Sequence, residues 1–222
     1  MSPVFVTGGT GYLGRPLIEC LVARGSEVHA LVRPGSEAKL PRGARAVRGN
    51  ALDAASFVDA IPPRATVVHL VGTPHPNPAK AAEFRSVDLA SIRAVTIAAR
   101  KAGALHLVYV SAAHPAPVMK AYIAVRVEGE ALVRETGIPA TILRPWYVLG
   151  PGHRWPYALL PVYAVLRAIP ATRESARRLG LVTRHAMVET LARAVADAPP
   201  SGVRTIEVEE IRQPRQSTKT PR

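Results

Sequence analysis

Cysteine is almost missing from this chain: Cys20 is the single thiol among 222 residues. That excludes a disulfide within the chain and a cysteine-rich metal site. Metal-ligand spacings of the His-Glu-x-x-His kind are missing too, so no metal is expected. Acidic residues are scarce, 16 against 29 Lys and Arg, giving a formal net charge of +13. Such a charge could suit nucleic acid or an anionic membrane. The arginines, however, are scattered and no nucleic-acid motif accompanies them. The expectation is solvated basic faces, helped by an anionic cofactor, and no nucleic-acid partner. The strongest apolar run, Trp155–Ile169, is too short to span a bilayer. The N-terminus carries no signal-peptide pattern, since a strand pattern begins by Pro3 or Val4, and the cytoplasm is the expected location.

What is present is an alternation of strand and helix patterns. The apolar and charged fractions, 48% and 20%, are those of a globular protein. One domain is expected over residues 1–212, with 145–200 on the substrate side and 213–222 a disordered basic tail. Strand patterns are read at Val4–Val6, Glu27–Val32, Ala44–Val47, Thr66–Val71, Leu105–Val110, Ala140–Leu143 and Val203–Val208. Helix patterns follow the first strand, with Leu13, Leu17, Ile18, Leu21 and Val22 at helical spacing. Others fall at Ala54–Ala60, Ala82–Ala102 (closed by Gly103), Val118–Glu135 (closed by Gly137) and His185–Asp197. Repeated β-α-β units predict an α/β fold: a doubly wound parallel sheet with helices on both faces. Ligands then bind at the carboxyl ends of the strands.

Residues 7–14 read Thr7-Gly8-Gly9-Thr10-Gly11-Tyr12-Leu13-Gly14, between the first strand and the first helix. A strand, a glycine turn and a helix N-terminus make a site for pyrophosphate, because backbone N–H groups and the helix dipole point at the anion. Gly8 serves the tight turn, Gly11 the close approach and Gly14 the packing of helix on strand. This is the Rossmann arrangement for a dinucleotide. The second strand ends Leu31-Val32-Arg33, without the carboxylate that holds a ribose 2′-hydroxyl in NAD-selective sites. The planar fork of Arg33 suits a 2′-phosphate, so NADP(H) is favoured over NAD(H). A solvated loop arginine is the alternative.

Taken in order, the motifs resemble the short-chain dehydrogenase/reductase superfamily, in its compact atypical or extended branch with NmrA-like and epimerase-dehydratase-like proteins. They are Thr7–Gly14, Gly49-Asn50-Ala51-Leu52-Asp53, Val68-His69-Leu70-Val71-Gly72, Tyr109-Val110-Ser111, Tyr122-Ile123-Ala124-Val125-Arg126, Leu143-Arg144-Pro145 and Gly150-Pro151-Gly152. The resemblance implies that Asn50 and Ala51 lie by the adenine. It puts Val71 and Gly72 on the ribose and nicotinamide side, and the backbone after Pro145 near the nicotinamide. It also implies a catalytic set of Ser111, Tyr122 and a lysine four residues beyond the tyrosine, where this chain has Arg126. Spacing i, i+4 puts Tyr122 and Arg126 on one helical face. In the family's chemistry the tyrosine exchanges a proton with the substrate oxygen and the cation favours its ionised form. Arginine keeps the charge but cannot relay a proton. A surface tyrosine and arginine on an amphipathic helix is the structural alternative.

His69 and His106 fall in or beside strands and read as packing residues. His75 and His114 open on the substrate side, where either could act as acid or base. Both tryptophans flank one loop, Pro145-Trp146-Tyr147 and His153-Arg154-Trp155, which suggests an apolar or flat substrate, with lid packing as the alternative. Trp155–Ile169, followed by Arg173, Arg177 and Arg178, suits a pocket cover or a homodimer surface. Attachment to a membrane surface is a secondary expectation. The favoured function is an NADP(H)-dependent oxidoreductase on a small carbonyl or alcohol. A cofactor-binding sensor or accessory subunit without turnover stays open, as does an epimerase or dehydratase. The length remaining after the sixth strand argues against a large nucleotide-sugar substrate.

Overall fold

The computed structural model describes residues 2–151, 169, 174 and 178–213. The expectations for His153, Arg154, Trp155, most of Trp155–Ile169 and the tail beyond Gln213 lie outside the described residues. Nine strands are described: β1 (Val4–Thr7), β2 (Val28–Val32), β3 (Ala44–Arg48), β4 (Thr66–His69), β5 (His106–Val110), β6 (Ala140–Arg144), β7 (Val148–Leu149), β8 (Val182–Thr183) and β9 (Val203–Glu207). Seven of them form one sheet in the order β3-β2-β1-β4-β5-β6-β9. Every pairing in it is parallel. The order reverses between β1 and β4, and this switch point is where a doubly wound sheet opens its ligand crevice.

The described α-helices are α1 (Gly14–Ala23), the single turn α2 (Ala81–Glu83), α3 (Ala90–Lys101), α4 (Lys120–Glu135), α5 (Arg184–Ala196) and α6 (Val208–Arg212). Alternate strand residues feed two cores. Phe5, Val67, Leu107 and Ile142 meet Ile92 and Val95 of α3 and Val125 and Val133 of α4. Val4, Val6, Val68 and Leu143 meet Leu17, Ile18 and Leu21 of α1 and Met187 and Leu191 of α5. Each fully buried Leu or Ile contributes about 2 kcal/mol, against differences of about 0.7 kcal/mol in helix propensity. Packing therefore holds α1 in place. Gly25 stops it in the left-handed region, at φ 78°, with its N–H on the Val22 carbonyl at 2.9 Å.

Several predicted elements differ in detail. Ala54–Ala60 is two 3-10 turns, Ala54–Ser56 and Val58–Ala60, broken where Phe57 turns inward to stack on Phe5 at 6.0 Å. The long helix over Ala82–Ala102 is interrupted by a π-helical stretch, Phe84–Leu89. That wider winding carries both Phe84 and Asp88 into the interior. The fourth strand stops at His69 rather than Val71, and α4 begins only after Met119, which sits at φ 58°. The parallel contact of β7 with β8 and the short α6, capped reciprocally by Glu207 and Glu210, had no counterpart among the predicted elements.

His69 and His106 are buried within their strands, as packing residues should be. His69 bonds Thr7 through Nδ1 at 2.8 Å and Ser91 through Nε2 at 3.2 Å. Burial first, and the charge of Arg126 second, hold its pKa down to about 3. For His106, burial and then Arg204 bring it to about 4. An unfolded imidazole titrates near ~6.5, so below that pH the unfolded chain takes up protons that the folded chain refuses. Stability is complete above this range and falls as the pH drops through it. The urea midpoint is expected to be lower at about pH 5 than at about pH 7, and His69→Gln should shrink that difference. An undiminished difference in the variant would remove His69 from this role.

Candidate functional site

The glycine loop closes on itself where β1 meets α1. Gly8 takes φ 77°, a conformation glycine adopts without a Cβ penalty, and a Cβ there would lie 2.8 Å from the Leu70 carbonyl carbon. The Gly11 N–H bonds the Gly8 carbonyl at 3.0 Å. A Cβ on Gly14 would overlap that carbonyl oxygen and lie 2.7 Å from the Gly9 Cα. The first turn of α1, which has no acidic residue, is thus pressed against a backbone cradle. That geometry fits a pyrophosphate, since only backbone and helix-end dipoles face the space a side chain would fill. Thr10 and Tyr12 are half-buried in the loop, and Leu13 packs on the α1 side of the core.

The remaining residues expected on the cofactor side follow strand ends. Arg33 is exposed immediately after β2. Asn50 orders the turn after β3: its Oδ1 accepts the Leu52 N–H at 3.1 Å, and its own N–H donates to the Ser56 hydroxyl at 2.9 Å. Ala51 packs against the core beside it. Val71 and Gly72 follow β4, where the Leu70 N–H bonds the Thr7 carbonyl at 3.1 Å. Pro145 follows β6 and accepts the Ala113 N–H at 2.8 Å.

Beyond the strand ends lies a cleft of about 440 Å³ lined by Tyr12, His75, Asn77, Tyr122, Trp146 and Tyr147, among others. It gathers the predicted tyrosine, one of the two substrate-side histidines and the aromatic pair. Trp146 and Tyr147 meet edge to face at 5.3 Å, and Tyr122 meets Phe84 in the same way at 5.1 Å. Ser111 and His114 are not among the residues that line it. The Ser111 hydroxyl donates to Glu130 Oε1 at 2.7 Å, and His114 Nε2 lies 3.3 Å from the same oxygen.

Arg126 is buried beneath Tyr122, its guanidinium carbon 5.0 Å from the ring centroid. Nη2 donates to Asp88 Oδ1 at 2.5 Å and Nη1 to the Val110 carbonyl at 3.1 Å. Asp88 Oδ2 accepts the Thr73 N–H at 2.9 Å and the Thr73 hydroxyl at 2.6 Å. Burial opposes the arginine's charge, but Tyr122, Tyr109 and Asp88 outweigh it and its pKa stands above the usual value. Arg126 is therefore a fixed cation. Gly72 lies close against the pair: a Cβ there would be 2.5 Å from Nη2 and 3.2 Å from Asp88 Oδ1.

Two acids of this site escaped the sequence reading. Glu130 takes Arg144 through Nε at 2.8 Å and Nη2 at 2.6 Å, and Arg134 at 3.1 Å, besides Ser111. Burial raises its pKa, but the bonds from Arg144, Ser111 and Arg134 prevail and bring it to about 2. Its signal was spacing, because Tyr122, Arg126, Glu130 and Arg134 recur every fourth residue along α4. Asp88 left a weaker trace, as an acid on the apolar stripe of the long helix pattern.

A family model described as NAD(P)H-binding matches residues 8–158. The chain is 30% identical over 168 residues to a 4-hydroxy-2-methyl-3-oxo-4-farnesyl-3,4-dihydroquinoline-1-oxide ketoreductase of Stigmatella aurantiaca, covering 66% of this chain and 50% of that protein. It is 30% identical over 177 residues to a ceramide reductase of Caulobacter vibrioides, covering 78% and 55%. The chain thus spans about half the length of the curated relatives it matches. Among solved structures, the Bordetella bronchiseptica enzyme WbmH in complex with NAD+ superposes with TM-score 0.69 at 19% identity, covering 93% of this chain and 75% of that one. The Thermus thermophilus UDP-glucose 4-epimerase complex with NAD gives TM-score 0.65 at 20% identity, covering 95% and 81%. At such identities the likeness is one of fold. No described helix is long and apolar enough to cross a membrane.

Gly14→Ala tests the cradle. Its methyl group would push the first turn of α1 off the loop, at an expected cost of about 1–3 kcal/mol in stability together with loss of dinucleotide binding. Calorimetric melting and NADPH titration read both effects, and a variant matching the parent in each would contradict the close packing.

Proposed function

The chain belongs to the NAD(P)H-binding family, and on that premise we propose that it is an NADP(H)-dependent oxidoreductase of the short-chain dehydrogenase/reductase kind, acting on a small, apolar or flat carbonyl or alcohol. The observation that carries this reading is Tyr122: it lines the cleft beside the glycine loop and rests on the fixed cation of Arg126. The nicotinamide, when bound, supplies or accepts hydride. In the reductive direction Tyr122 gives its hydroxyl proton to the substrate oxygen, and the guanidinium below stabilises the phenolate left behind. Arg126 stays protonated throughout, so it holds charge and does not pass the proton on. Ser111 is committed to Glu130. A second polar contact to the substrate oxygen then falls to the cleft's own His75 or Asn77.

Arg33 supports NADP(H): it is exposed where the cofactor's adenosine ribose would lie, and no carboxylate follows Val32 directly. A second reading, a cofactor-binding protein without turnover, is favoured by one observation. Both partners that the family's chemistry assigns to the tyrosine, Ser111 and the cation at Arg126, are engaged in internal bonds.

Fluorescence titration is expected to show NADPH binding tighter than NADH, with Arg33→Ala weakening NADPH about tenfold and leaving NADH unchanged. Equal affinities would overturn the preference. In a screen of aromatic and aliphatic ketones, Tyr122→Phe should lower kcat at least about a hundredfold with cofactor affinity intact. Turnover insensitive to Tyr122→Phe would defeat the tyrosine's role. Tight cofactor binding without turnover in the parent would favour the second reading.

A further inference from the structure

Loop 33–37 and the end of β3 hold an ion pair that the proposed reaction does not use. Arg48, the last residue of β3, pairs in register with Val32 at the end of β2. Its Nε donates to Glu37 Oε1 at 2.5 Å. The backbone N–H groups of Glu37 itself and Gly35 also favour the ionised carboxylate. The Glu37 N–H first and the Arg48 guanidinium second hold its pKa below the usual carboxylate range, and the Gly35 N–H contributes least. Gly35 reaches this turn at φ 82°, and the Ser36 N–H closes it on the Arg33 carbonyl at 3.0 Å. The Arg48 Nε and two backbone N–H groups thus favour one anion, four residues from Arg33.

These donors are of the kind a phosphate monoester takes. They stand at the carboxyl ends of β2 and β3, on the side of the switch point where the adenosine ribose of a dinucleotide is held. We propose that the Glu37 carboxylate stands in for the 2′-phosphate of NADP(H), so that cofactor binding displaces it and transfers Arg48 to the phosphate. The proposal rests on the NADP(H) reading of Arg33 and adds two residues to it. Arg48 is a second phosphate ligand, and Glu37 is an internal competitor.

Exposure makes the exchange feasible. The Arg48 side chain is 76% exposed and that of Glu37 27%, and an ion pair at such a surface is weakly held. The phosphate carries more charge than the carboxylate and so competes well for the fork. The displaced Glu37 returns to water. An unphosphorylated ribose offers no anion to Arg48, and the pair stays closed. Glu37 therefore narrows the preference between the two cofactors without opposing the pyrophosphate.

Calorimetric titration of the full chain with adenosine 2′,5′-bisphosphate and adenosine 5′-monophosphate tests this. Glu37→Gln is expected to tighten the bisphosphate about fivefold and to leave the monophosphate unchanged. Arg48→Ala should weaken the bisphosphate about tenfold, and the double variant should match Arg48→Ala alone, because Glu37 competes through Arg48. Unchanged or weaker bisphosphate binding in Glu37→Gln, while Arg33→Ala still weakens it, would overturn the proposal and leave the cofactor reading standing. Weaker monophosphate binding in Glu37→Gln would overturn it differently, by making Glu37 a ligand of the ribose. If the parent chain does not distinguish the two nucleotides and Arg33→Ala changes neither, the cofactor reading fails and takes the proposal with it.

Discussion

The ion pair between Arg126 and Asp88 joins the parts of the site that come from distant stretches of sequence. It bonds α4 to the π-helical stretch, to Thr73 beyond β4 and to the end of β5. Two charges this deeply buried lose most of their hydration, and deleting one of them strands the other at a cost of about 3–5 kcal/mol. Further bonds support each partner, two from Thr73 to Asp88 and one from Arg126 to the Val110 carbonyl, although Arg126 Nε is buried with no partner among the described residues. Gly72 crosses above it, and Tyr122 lies on it. The cofactor-side loop and the cleft tyrosine therefore share one rigid floor.

The scarcity of acids has a structural counterpart. With far fewer carboxylates than cations, single acids in the interior serve several partners. Glu130 binds Arg144 and Arg134 and faces His114. Glu128, near the surface, stands 3.6 Å from Arg85 and 3.5 Å from Arg93. Glu130 fixes the end of β5 through Ser111, α4 through its own backbone and β6 through Arg144. Those three elements meet at the edge of the cleft. A hydroxyl that the family pattern assigns to substrate is here part of the frame.

The parallel sheet and the glycine cradle were legible because both are written locally. Continuous apolar strand runs, helical periodicity and a glycine spacing repeat what neighbouring residues already say. Repeated β-α-β units with right-handed crossovers implied a parallel sheet, while the order of its strands came from the structure. What escaped was written between distant residues. Nothing near Ser111 names Glu130 as its partner, and nothing near Arg126 names Asp88. The π-helical stretch was hidden because one extra residue in a turn leaves an apolar stripe nearly in phase. Two-residue strands such as β7 and β8 carry no period to read. His75 and His114 looked alike in sequence, yet one lines the cleft and the other faces a buried carboxylate.

The close approach of Gly72 to the guanidinium sets the terms on which this site can change. A lysine in place of Arg126 would bring a point charge on a flexible stem to a seat shaped for a planar fork. Asp88 would lose its aligned donor, Val110 its side-chain partner, and the Gly72 backbone the surface it rests on. A lysine here would therefore leave Asp88 and Val110 short of the donors that now reach them. Arg126 thus belongs to a set with Asp88, Val110 and Gly72, and changing it alone disturbs all three contacts.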